Sequence, residues 1–262
     1  MNLDPNSIDA LSKAIPESTK EQLLNPTANN IGKSIGGISR FLLTPLLKLD
    51  IITQKNLYDF ESEIYAKTDA ISLENRDSSK LGLALKTIED SKYQLDSKDL
   101  RELFVNLIAS TVDREKNNKS HPRFSTILSE MDNNDAVFLR NLIDILIANG
   151  QYKFIPTCQL ENHNNKTDGR SAIGELQILS ESKTITNNIA LTNLSSLGII
   201  EVNSELRPYN EFYSKQFDNF ENSIEIKNLK NKISEQSDHS LFILKGHIKF
   251  TELGTRFIEL IS

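Results

Sequence analysis

The chain predicts an α+β fold, mainly α, in which an N-terminal helical domain packs on a C-terminal winged-helix-like domain. Three observations lead there. Leu100, Leu103, Phe104, Leu107, Ile108 and Val112 recur at i, i+3, i+4, i+7, i+8 and i+12, the apolar face of one helix. The stretch "NDAVFLRNLIDILIANG" is apolar on most faces and closes on Asn149-Gly150, a C-terminal helix signal. Beyond Gly150, "YKFIPTCQL", "GIIEV" and "SLFILKGHIKF" carry the aromatic and β-branched character of strands.

Taken in order, residues 1–30 hold three prolines among scattered polar residues and read as a flexible arm. The helical domain is expected over 31–133. Ile31, Ile35, Ile38, Leu42 and Leu46 stand at helical spacing, and Leu57, Phe60, Ile64, Ala70 and Ile71 continue that logic up to a break at "SLENRDSSK". Leu81, Leu85, Ile88 and Tyr93 mark the next helix, and Asp96 or Ser97 suits the N-cap of the helix through Leu100. Pro122 sits where a helix tolerates proline, in the first turn, and Phe124, Ile127, Leu128 and Met131 form the stripe that follows. His121 is then the N-cap or the residue just before the helix.

The winged-helix-like domain is expected over 134–262. Between its strands, "IGELQILSES" and "ITNNIALTNLSSLG" read as short helices, and Thr251 suits the cap of a last helix through Leu253, Phe257, Ile258 and Leu260. "ENHNNKTDGR" reads as a polar surface excursion. A long charged insertion spans 203–240, with a short helix expected within "FENSIEIKNLKNKISEQ".

Composition narrows the function classes. The 262 residues are 38% hydrophobic and 25% charged, a soluble globular balance, and a net charge of -6 disfavours bulk attraction to nucleic acid or anionic lipid. The single Cys158 cannot form an internal disulfide, the opening residues lack the apolar run of a secretory signal, and "FLLTPLLKLDII" is interrupted by Pro45, Lys48 and Asp50. A cytoplasmic location is expected, with membrane association disfavoured.

No chemistry-bearing motif stands in its required context. "GKSIG" matches the spacing around a nucleophilic Ser34, but no buried strand precedes it, and a phosphate-binding loop would need glycine where Thr27 stands. His121, His163, His239 and His247 are isolated in sequence, and Cys158 lies in an apolar run that favours an inert thiol. The expectation is a non-enzymatic protein with no catalytic residues, no cofactor and no metal. Two surfaces are candidates for contact: Asn187, Asn188, Thr192 and Asn193 on the helix that would enter a DNA groove, and Lys227, Lys230 and Lys232 in the insertion. The first has no lysine or arginine to hold phosphates, so nucleic acid ranks behind a protein partner. An alternative is a membrane-acting effector that uses residues 31–52.

The run "LRELFVNLIASTVD", a basic polar turn, "HPRFSTILSEM" and then "NDAVFLRNL" resembles the signature of the abortive infection alpha family, a bacterial group associated with phage exclusion. Leu100, Arg101, Phe104, Leu107, Ala109, Asp113, His121, Pro122, Phe124, Asp135 and Ala136 carry the likeness. "NPTANNIGKSIGGI" upstream and "LSSLGIIEV" with "FTELGTRFIEL" downstream are similar to the family's flanks, whereas the charged segment 203–240 departs from it. The resemblance implies a phage-defence or superinfection-immunity protein whose partner is a phage or host factor.

Overall fold

The computed structural model describes residues 54–150, 153–181, 183–204 and 211–262. The expected arm over 1–30, the helix of residues 31–52 and Ser34 lie outside them. The chain divides into two compact units, residues 1–136 with 256–262, and residues 137–255. Among the described residues the fold is mainly helical, with one five-stranded antiparallel sheet.

In the first unit, helices α1 (Gln54–Asp69), α2 (Leu81–Asp90), α3 (Lys98–Val112) and α4 (Pro122–Ser129) follow one another, and α5 (Asn133–Ala148) begins within it. Ser97 is the N-cap of α3: its hydroxyl accepts from Leu100 N at 3.3 Å, and it donates to Asn133 Oδ1 at 2.7 Å. The apolar face of α3 is the unit's centre, with Phe104 and Val112 fully buried and Leu100, Leu103, Leu107 and Ile108 nearly so. Ile127 and Leu128 of α4 are buried with it. Tyr93, expected on the α2 stripe, instead belongs to a separate 3-10 turn and is 63% exposed. Helix α5 opens on a reciprocal capping pair, in which Asp135 N donates to Asp132 Oδ1 and Asp132 N to Asp135 Oδ2. The helix ends before Gly150, whose φ of 63° is the left-handed turn that stops it.

The second unit is built on strands β1 (Ile155–Asn164), β2 (Gly169–Leu179), β3 (Thr184–Ile185), β4 (Ile200–Asn203) and β5 (His239–Phe250), in the order β3-β2-β1-β5-β4. Helix α6 (Asn188–Ser196) precedes β4, helices α7 (Glu211–Glu221) and α8 (Ile224–Ser234) fill the insertion, and α9 (Glu252–Ile261) starts here. The register of β1 against β5 is unbroken from Ile155↔Ile248 to Asn164↔His239. One sheet face packs on α7 through Cys158, Leu179, Tyr213 and Phe217. As Thr251 caps α9, Gly254 comes so close to the carbonyl of Ile199 that a Cβ would lie 2.0 Å from its oxygen.

Two expectations are corrected here. "IGELQILSES", expected as the first helix of a helix-turn-helix, is mostly strand β2, bonded along β1. Among the described residues α6 is therefore the only helix between β1 and β4, where two were expected. The polar excursion "ENHNNKTDGR" takes the form of the β1–β2 hairpin, with Asp168 at φ 54° in its turn. The insertion holds two helices, not one short one.

Candidate functional site

The residues that carry the family likeness fall in the first unit, and most are engaged internally. Leu100, Phe104, Leu107 and Phe124 are core, and the Phe124 ring lies 5.5 Å from that of Phe257. Arg101 is 8% exposed. Its Nη2 and Nε bond to Glu63 of α1 at 3.0 and 3.1 Å, its Nη1 donates to the Leu95 carbonyl at 3.1 Å, and Asp59 stands 3.9 Å away. The planar fork thus ties α1 to α3 and to the turn before it.

Asp113 ends α3. Its carbonyl accepts from the Lys116 and Asn117 amides, Oδ1 accepts from Glu115 N, and its backbone bridges Arg76. Beside it, the Ser79 amide at 2.8 Å holds the Asp77 carboxyl below the usual carboxylate range, with further bonds from Asn117 Nδ2. His121 caps α4: Nδ1 accepts from Arg123 N at 3.1 Å, and Pro122 occupies the first turn. Its imidazole also meets Phe124 edge-on at 6.1 Å.

Other residues of this unit matter although periodicity gave no warning of them. Asn106 and Ser110, one turn apart on α3, donate to the Ile261 and Leu260 carbonyls at 2.7 Å, which α9 leaves without internal partners. The sequence signal was present: two polar residues interrupt an apolar helix. Lys86 is 8% exposed and donates to Asp90, to Ser125 Oγ at 2.9 Å and to Thr126 Oγ1 at 3.0 Å. A lysine beside a serine suggests a nucleophile with its base, but this ammonium has all three donors engaged, and Ser125 is buried. Between α1 and α3 lies an open cleft of about 420 Å³ lined by Glu63, Ala66, Lys67, Lys98, Glu102 and Val105. It has no histidine or cysteine in its lining.

The candidate contact residues fall in the second unit and are not equivalent. Asn187 caps α6 by accepting from Ala190 N at 3.0 Å. Asn188 Oδ1 accepts from Leu176 N at 3.1 Å, and its own N–H donates to Glu175 Oε1 at 3.2 Å, which clamps α6 to an irregular stretch of β2. Thr192 Oγ1 donates back to the Asn188 carbonyl, and Asn193 is half-buried. On α8, Lys227, Lys230 and Lys232 are exposed. The α6 residues are therefore partly structural, and the α8 lysines project to solvent.

The remaining reactive groups are dispersed. Burial pushes the Cys158 thiol up to about 12, with Lys245 opposing the effect weakly. His163 bonds Asp168 at 2.8 Å, and His239 is held by Asn162 and Asn164. Burial lowers His247 from its usual range, aided by the charge of Lys249, and its ring packs 4.6 Å from Phe154. Among the described residues no group of three or more His, Cys, Asp or Glu could hold a metal ion, and no helix is long and apolar enough to cross a membrane.

Comparison with known proteins gives the decisive observation: the family model of abortive infection alpha matches residues 52–261. The chain belongs to the abortive infection alpha family. No match was found among curated proteins or solved structures. In this abortive infection alpha protein the match extends through both units, so the sheet, the α7–α8 insertion and the capped α3–α4 turn all lie within it.

Proposed function

We propose that this abortive infection alpha protein acts in the cytoplasm as a non-enzymatic phage-defence protein, recognising a phage or host factor through its second unit. One observation carries the reading. The side chains of the signature are engaged in core, caps and the Arg101 clamp, while the α8 lysines face solvent. A motif used this way fixes the frame and leaves recognition to exposed groups elsewhere.

The test is a phage challenge of cells that carry the intact protein, Phe104→Ala, or the triple change Lys227→Glu, Lys230→Glu and Lys232→Glu, with soluble expression checked for each. The expected result is reduced phage yield with the intact protein and loss of protection in the folded lysine variant. Full protection by that variant would remove α8 from the contact surface, and no protection against a broad panel by the intact protein would sink the defence reading.

A winged-helix DNA-binding regulator is the second reading, favoured by the order β1-β5-β4 with α6 entering β4. The bonds of Asn187 and Asn188 leave little of α6 for base edges, and α6 has no lysine or arginine. Duplex binding that weakens steeply with salt would bring this reading forward.

A further inference from the structure

We infer that a second copy of this chain docks face to face on the exposed, hairpin end of one face of the β1–β2–β5 sheet, joined by reciprocal Arg170 to Glu161 contacts around Phe242. The registers put these residues on one face. Glu161 is opposite Ala172 on β2 and Phe242 on β5, and His163 is opposite Arg170 and Ser240. Cys158, which packs on α7, points the other way, because successive β1 side chains alternate and Glu161 is three positions on.

Three features of this face call for a partner. Phe242 is 40% exposed in the middle of a strand, with half-buried Leu244 two residues along and exposed Ala172 in its own row. Arg170 reaches across β1 to lay its guanidinium 5.0 Å from the centre of the Phe242 ring. Glu161, the diagonal neighbour of Arg170, has no ion-pair partner among the described residues, whereas Lys166, Lys245 and Lys249 of the same sheet unit are each paired with a carboxylate.

One cation and one anion, neither ion-paired among the described residues, around an aromatic centre make a surface that complements itself. A two-fold axis sets Arg170 of each copy against Glu161 of the other and buries both Phe242 rings. Three strands about 4.8 Å apart over about 20 Å of length offer about 300 Å² per copy, below the ~800 Å² per partner of a standard interface. The dimer is therefore weak and salt-sensitive, forming only as concentration rises.

Sedimentation of the full chain from micromolar to near-millimolar concentration tests this, with Phe242→Glu, Arg170→Glu, Glu161→Arg and the double change Arg170→Glu with Glu161→Arg, and with circular dichroism confirming each fold. The intact protein should move from monomer toward twice the monomer mass. Either single charge change should raise the midpoint concentration by about tenfold or more, Phe242→Glu should abolish association, and the double change should restore it. A monomer at all concentrations, a dimer that survives Phe242→Glu, or a double variant no better than the single ones would each overturn the inference.

Discussion

In the helical unit, Arg101, Lys86, Arg76, Asn106 and Ser110 are buried and bonded, each by at least one contact of 3.1 Å or less. In the sheet unit, Thr157, Gln216 and His247 are as deeply buried, yet Thr157 Oγ1, both amide atoms of Gln216 and His247 Nδ1 have no hydrogen-bond partner among the described residues. The Ser120 hydroxyl is an exception in the helical unit. The contrast separates two uses of burial. Paired polar groups fix angles between helices and cost little, whereas each unpaired one carries a desolvation penalty of about 1–3 kcal/mol. Of the signature residues, Arg101 and Asp135 are buried polar groups of the first kind.

The largest effect is expected in the helical unit, at the core that its paired groups frame. Phe104→Ala removes a ring with no exposed surface and should cost about 3–5 kcal/mol, measured by chemical denaturation of the full chain. Glu63→Ala should come next. It leaves the buried Arg101 without its main partner, but because the Glu63 side chain is 36% exposed, solvent reduces the loss to about 2 kcal/mol. Faster amide exchange in α1 and α3 would localise it, and an unchanged exchange rate would show that the clamp contributes nothing.

The sheet unit should respond with the opposite sign. Gln216→Leu replaces an amide with no partner for either end by an apolar side chain of similar size, and should raise stability by about 1 kcal/mol. A loss instead would reveal a hydrogen bond to ordered water there. The smallest effect concerns His247. Its folded imidazole binds a proton less readily than the unfolded one, so the unfolded state takes up more protons as pH falls through the ordinary histidine range. Its contribution is full above about pH 6.5 and is lost on acidification. Comparing denaturation midpoints across that range for the intact protein and His247→Phe should show a shallower pH slope in the variant.

How far the sequence was legible depends on whether the deciding contact is local. The Ser97 and His121 caps, Pro122 in the first turn and the stop at Gly150 are signals read within a few residues. Strand β2 was not legible, because the register slips opposite Cys158 and Leu160, and Gly174 at φ 68° sits in that irregular stretch. The slip breaks the two-residue alternation, so Ile173, Leu176 and Leu179 fall at a spacing of three that imitates a helix.

The candidate site divides in the same way. The sequence by itself determined the amphipathic helices, their ends and the likeness that the family match then established, since helix period, capping and motif order are written in neighbouring residues. Only the tertiary structure decided that Asn187 and Asn188 are a cap and a clamp, that Arg101 has Glu63 as its partner 38 residues away, and that Arg170, Glu161 and Phe242 share a sheet face. A polar side chain's role depends on what stands across from it, and for these residues that neighbour arrives from a distant part of the chain.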